Sequence, residues 1–138
     1  MRVKTAVIYA TMSGNTKEVA ELIAKESSAD LVPMSASPPD LSGYDLLFFG
    51  SYTWGDGETP LIVKDFARAL GYKPKNVAVF GTGDTQWPDF CAAVDRLAKF
   101  YETKFPTLKI EQSPRGHQEP IITEWTKGVI ACYNALKS

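Results

Sequence analysis

The residues with the most chemistry in them lie in three short polar runs, each directly after an apolar stretch. The first is Thr11-Met12-Ser13-Gly14-Asn15-Thr16, which follows Thr5-Ala6-Val7-Ile8-Tyr9. A helical pattern starts at once, with Val19, Leu22, Ile23 and Glu26 at spacings of three and four. Strand, hydroxyl-rich loop and helix start together make a phosphate site. The first helical turn leaves backbone N–H groups unpaired, and the macrodipole adds partial positive charge there. Thr11, Ser13, Asn15 and Thr16 supply further donors, and Gly14 lets the backbone approach a ligand closely. Taken alone, the run also reads as a plain helix cap. It is not a triphosphate grip, because no Gly-Lys pair occurs and Lys17 already lies inside the helix. Its one glycine is too few for a dinucleotide fingerprint.

The second run is Ser51-Tyr52-Thr53-Trp54-Gly55-Asp56-Gly57-Glu58, and the third is Thr82-Gly83-Asp84-Thr85-Gln86-Trp87-Pro88-Asp89, followed by Phe90 and Cys91. Each carries one tryptophan among glycines and acids. Either tryptophan alone could simply anchor its own loop. Together, beside a phosphate nest, Trp54 and Trp87 would form the two walls of a slot for a flat ring. A planar heterocycle with a phosphate on a flexible tail describes flavin mononucleotide (FMN).

The elements between these runs must bring them together. Asp30–Met34 reads as a short strand, and Pro33 favours a sheet edge. Asp45-Leu46-Leu47-Phe48-Phe49-Gly50 and Asn76-Val77-Ala78-Val79-Phe80-Gly81 are continuous apolar runs, the mark of strands buried on both faces. A helix beginning near Pro60 turns Val63, Phe66, Ala67 and Leu70 inward. Phe90, Val94, Leu97 and Tyr101 mark a third helix, Leu108–Ile110 a last strand, and Ile122, Trp125, Val129, Tyr133 and Leu136 stripe a final helix. This alternation predicts an α/β, three-layer sandwich: a five-stranded parallel sheet in order 2-1-3-4-5 with helices on both faces. In such a sheet, ligands bind outside the carboxyl ends of the strands, where the order reverses. The runs at 11–16, 51–58 and 82–91 would then sit side by side.

A chain of 138 residues suits one domain, 1–138, with an ordinary balance of 44% hydrophobic and 22% charged residues. Cys91 and Cys132 form no C-x-x-C pair, and the single His117 cannot build a metal centre; His117 reads as a surface-loop residue and Cys91 as a packing residue at a helix start. A formal net charge of −1 gives no global pull toward nucleic acid, and no run is long enough for a membrane span. Met1-Arg2-Val3-Lys4 leads straight into a strand pattern without a leader-like segment, so a cytoplasmic monomer is expected.

With these runs in place, the chain resembles the flavodoxins. Thr11–Thr16 matches the family's T/S-x-T-G-N-T loop, Ser51–Asp56 its S-x-T-W-G-D loop, and Gly81–Asp95 its G-x-G-D-x-x-[YW]-x-x-F-C-x-A-V-D block. The three blocks occur in order across most of the chain, without the insertion of the long-chain type. The resemblance implies that the 11–16 loop holds the FMN phosphate, that Trp54 and Trp87 cover the two ring faces, and that backbone groups of Gly83, Asp84 and Cys91 meet the pyrimidine edge. Gly55 matches the glycine whose carbonyl turns toward flavin N5. Departures are Ser13 for the commoner threonine, Met12 for a residue often polar, Trp87 for the more frequent tyrosine, and a less acidic composition.

The implied function is that of a low-potential one-electron carrier, binding FMN non-covalently and shuttling between semiquinone and hydroquinone. It would take electrons from a flavodoxin/ferredoxin-type NADP reductase or another donor and pass them to acceptor redox enzymes. Two rivals share the fold: an FMN-dependent quinone or NAD(P)H oxidoreductase, and a flavin activator of ribonucleotide reductase. A phosphoacceptor receiver domain is excluded, since Gly50-Ser51 stands where its aspartate would be. Asp56, Glu58, Asp65, Asp89 and Asp95 could form an acidic rim that steers a basic partner, or could be ordinary solvated charges.

Overall fold

The computed structural model of the chain describes residues 3–12, 14–35, 37–53, 59–83, 91–111 and 118–137. Strands and helices alternate as β1 (Thr5–Tyr9), α1 (Asn15–Ser27), β2 (Asp30–Pro33), β3 (Leu46–Tyr52), α2 (Leu61–Leu70), β4 (Val77–Gly83), α3 (Ala92–Tyr101), β5 (Leu108–Glu111) and α4 (Glu119–Lys137). All strand pairs are parallel, and the order is β2-β1-β3-β4-β5. The expected architecture is therefore the observed one. Pro33, which has no N–H to give a ladder, ends the edge strand β2.

Alternation of side chains along β3 and β4 builds two cores, one on each face of the sheet. Phe49, Val77 and Val79 point to the face covered by α2 and α3, where they meet Phe66, Val94 and Tyr101. Phe48, Ala78 and Phe80 point to the face covered by α1 and α4, where they meet Val19, Ile23, Ile122 and Val129. Phe48, Phe49, Phe66 and Phe80 are all fully buried. Each such side chain contributes about 1.5–3 kcal/mol from burial. Edge-to-face contacts add direction: Phe49 meets Phe66 at 5.8 Å and Tyr101 at 4.9 Å between ring centroids. Trp125, placed by sequence on the inner face of the last helix, stands edge-on to Phe48 at 5.7 Å and donates from its indole N–H to the Pro106 carbonyl at 2.8 Å.

One expectation needs correction. Leu136 belongs to the apolar stripe of α4 yet is 54% exposed. The helix has 19 residues, so it runs for about 28 Å at ~1.5 Å per residue. That outreaches the central strands, which at seven residues span about 23 Å. The last turn thus exceeds the length of the central strands. Pro60 marks the helix start as expected: it stands at the cap position just before α2, its carbonyl accepting from the N–H groups of Val63 and Lys64. Phe90, expected to open α3, lies outside the described residues.

Two glycines test this packing in opposite directions. A Cβ at Gly81 would lie 2.4 Å from Val94 Cγ2 and 2.5 Å from the Ser51 carbonyl oxygen, whereas one at Gly128, inside α4, would meet nothing within 4 Å. Gly81→Ala should destabilise by about 1–3 kcal/mol through overpacking. Gly128→Ala should stabilise by about 0.5–1 kcal/mol through helix propensity. Urea denaturation of the two variants beside the parent reads both signs.

Candidate functional site

Parallel strands deliver their carboxyl ends to one edge of the sheet, and the reversal of order falls between β1 and β3. The loops leaving β1, β3 and β4 there are those singled out by sequence. At the first, Gly14 adopts φ 92° and caps α1 with no side-chain hydrogen bond to the helix start. Left-handed φ is the requirement that makes this residue glycine. Thr11 Oγ1 accepts the Gly14 N–H at 2.9 Å, which closes the loop on itself. Gly14 itself offers the first turn of α1 no side-chain cap, and anions are favoured at such a helix start. Met12 is 64% exposed on the same loop.

Thr16 does not stand free as a donor. It is fully buried, and its hydroxyl shares a 2.8 Å hydrogen bond with that of Thr82, 66 residues away on β4. The Thr82 carbonyl in turn accepts the Thr53 N–H at 3.2 Å. Thr82 thus ties together the start of α1, the end of β3 and the end of β4. Ser51 is also fully buried and donates to the Tyr52 carbonyl at 2.7 Å. Tyr52 is half-buried and packs against the core under α2 and α3. Gly83 is the last residue of β4, and Asn15 the first of α1. Ser13, Trp54, Gly55, Asp56, Asp84, Trp87, Asp89 and Phe90, together with His117, lie outside the described residues.

Thr53 carries an observation that sequence could not supply: its Oγ1 is buried with no hydrogen-bond partner among the described residues. A buried hydroxyl without a partner costs about 1–3 kcal/mol, so such a group calls for an occupant. It stands where the β3 loop begins, at the edge that carries the uncapped start of α1. A ligand with hydrogen-bonding oxygens fits both features. Gln118 Oε1, on the turn before α4 at the same end of the sheet, is likewise buried without a partner among the described residues; no local pattern marks it in the sequence.

Cys91 holds the cap position of α3 at φ 53°, a left-handed conformation unusual for a residue with a Cβ. Its carbonyl accepts the Val94 N–H at 2.9 Å, and its buried Sγ lies 3.9 Å from the Gly81 carbonyl. Burial pushes the thiol up to about 12 from its ordinary value near 9. Cys91 is therefore a neutral packing group, as its sequence position suggested. Of the acids expected around the site, Asp65 lies 3.7 Å from Arg68 and Asp95 lies 2.9 Å from Lys109.

Fold and edge together define a doubly wound α/β protein with its candidate site at the strand-order switch. Comparison with known proteins narrows this. The flavodoxin family model matches residues 7–125, and the chain belongs to the flavodoxin family. It is 40% identical over 131 residues to the probable flavodoxin 2 of Bacillus subtilis, an alignment covering 84% of this chain and 87% of that one. It is 32% identical to the flavodoxin of Maridesulfovibrio salexigens, covering 91% and 96% of the two chains. The oxidised flavodoxin 2 of Bacillus cereus superposes with a TM-score of 0.80 at 32% identity, covering 94% of this chain and 99% of the other. The chain is accordingly an FMN-binding electron carrier. Thr53 Oγ1 and the open start of α1 suit that cofactor.

Thr53→Val should leave the apoprotein as stable as the parent or slightly more so, since it removes an unsatisfied group. It should also raise the FMN dissociation constant about tenfold, the loss of one hydrogen bond of about 1.4 kcal/mol; recovery of flavin fluorescence on dilution reads this directly. Iodoacetamide at pH 8 should label half-buried Cys132 while Cys91 stays unmodified. Because the folded-state value of Cys91 is raised, its share of stability is intact below pH 9 and is lost as pH climbs toward about 12. A pH series of denaturant midpoints for the parent and Cys91→Ala checks that sign.

Proposed function

We propose that the chain carries one electron at a time on the lower of FMN's two one-electron couples. The donor in this reading is a flavodoxin/ferredoxin-type NADP reductase or a comparable reductase, and the acceptors are other redox enzymes. FMN supplies the redox chemistry, and the protein holds it, orients it and sets the field around it. The 11–16 loop holds the phosphate, Trp54 and Trp87 cover the ring, and Gly55, Gly83, Asp84 and Cys91 offer backbone groups to its edge. Ser51, Tyr52, Thr53, Asp56, Thr82, Asp89 and Phe90 complete the surroundings. In the same reading the chain works as one domain over residues 1–138, as a cytoplasmic monomer.

The observation that carries this proposal is the economy of the edge. Only five residues, 10–14, separate β1 from α1, and eight separate both β3 from α2 (53–60) and β4 from α3 (84–91). Loops this short suit a grip on one flat cofactor and give little chain for enclosing a second substrate above it. The low potential follows from charge. Asp56, Glu58, Asp84 and Asp89 fall in the loops around the ring, and one negative charge ~10 Å away at an effective dielectric of ~20 disfavours a further negative charge by about 1.7 kcal/mol. That corresponds to roughly 70 mV for a one-electron couple.

Anaerobic reductive titration followed by visible absorption tests the reading. Two resolved one-electron stages are expected, the second requiring a far more reducing poise. A single two-electron stage, with hydride taken directly from a nicotinamide, would replace the carrier with an oxidoreductase.

A further inference from the structure

The two helical layers are not packed alike. α1 and α4 lie directly against each other, whereas α2 and α3 pack less closely together. Between α2 and α3 runs an open groove of about 410 Å³, floored by Val63, Ala67 and Phe100 and flanked by Lys64, Arg68 and Arg96. Phe100 remains 44% exposed, and Leu61 at the start of α2 is 70% exposed. Lys73 Nζ sits 4.3 Å from the Phe100 ring centroid and adds another cation at the rim.

Cations outnumber acids around the groove: Asp65 lies 3.7 Å from Arg68 and Asp95 lies 2.9 Å from Lys109, which leaves Lys64 and Arg96 without an ion pair among the described residues. Exposed apolar surface ringed by arginine and lysine is the composition of an interface core with a charged rim. The groove is open along both helices, so it suits an inserted stretch of chain better than an enclosed small molecule. Its Thr59 end directly follows residues 54–58, the loop assigned above to the cofactor.

We propose that the groove between α2 and α3 docks an acidic amphipathic segment of a redox partner, apolar side chains on Val63, Ala67 and Phe100 and carboxylates against Lys64, Arg68 and Arg96. That the partner is a redox protein rests on the carrier reading above; the acidic, amphipathic character of the segment rests on the groove. A carrier with this feature selects partners by two signs of charge, acids near the cofactor loops and bases along the adjoining helices. Docking at the Thr59 end sets the partner beside the cofactor loop, where electron transfer is shortest.

The test uses the FMN-loaded, isotopically labelled protein and a short helical peptide with leucine and phenylalanine one turn apart and glutamates on both flanks. Backbone amide shifts should concentrate at Val63, Ala67, Leu97 and Phe100. Affinity should fall about tenfold in the Lys64→Glu, Arg68→Glu, Arg96→Glu variant, and by a similar factor for a peptide of the same composition in permuted order. Lys64→Arg with Arg68→Lys should retain binding, and the visible flavin spectrum of every variant should match the parent's, which separates this result from any failure of the carrier reading. The proposal is overturned if shifts lie elsewhere or are absent, if the permuted peptide binds equally, if charge reversal changes nothing, or if the groove closes by self-association without peptide.

Discussion

The hydrogen bond between Thr16 and Thr82 is the constraint on which the ligand edge depends. β1 and β4 are not neighbours, since β3 lies between them. The start of α1 therefore has to reach across one strand to meet the end of β4. A buried hydroxyl pair makes that reach specific, because each hydroxyl left alone in that environment would be an unsatisfied polar group. With Thr82 also receiving the Thr53 N–H through its carbonyl, three separate chain segments are set at fixed spacing. A cofactor that must touch all three needs that spacing to exist before it arrives, and preorganisation of this kind lowers the cost of binding.

Close backbone approach supports the same edge from below. Phe80 occupies the space where a Cβ on Gly50 would stand, and Val94 crowds Gly81 in the same way. Each glycine sits one or two residues before its strand's ligand loop, so the aromatic core rises almost to the site. The rigidity of the Phe48, Phe80 and Trp125 cluster is thereby carried directly to the loop bases. The edge proposed to hold the cofactor is thus braced by the core.

Much of this was legible in sequence because it is local or periodic. Two unbroken apolar runs could only be central strands, Pro33 belonged at an edge, and three polar runs had to follow three strand ends. What escaped depends on relations between distant elements. Thr16 looked like a free donor because nothing near it in sequence announces a partner 66 residues later. Leu136 fitted the apolar period of its helix, which records the turn of the helix and not the extent of the sheet beneath it. The solitary hydroxyl of Thr53 and the gap between α2 and α3 arise from how helices and strands are spaced, a quantity that residue patterns do not encode.

The unequal packing of the two helical layers has a dynamic consequence. Regions with few interhelical contacts open at lower free energy than those that are tightly braced. The closely packed α1/α4 layer should accordingly open later than the α2/α3 layer. In the carrier proposed above, an adjustment at the segments preceding α2 and α3 would be met by the more loosely packed layer, while α1 stays braced against α4. On that reading the two sides of one sheet would divide retention of the cofactor from adjustment to its charge.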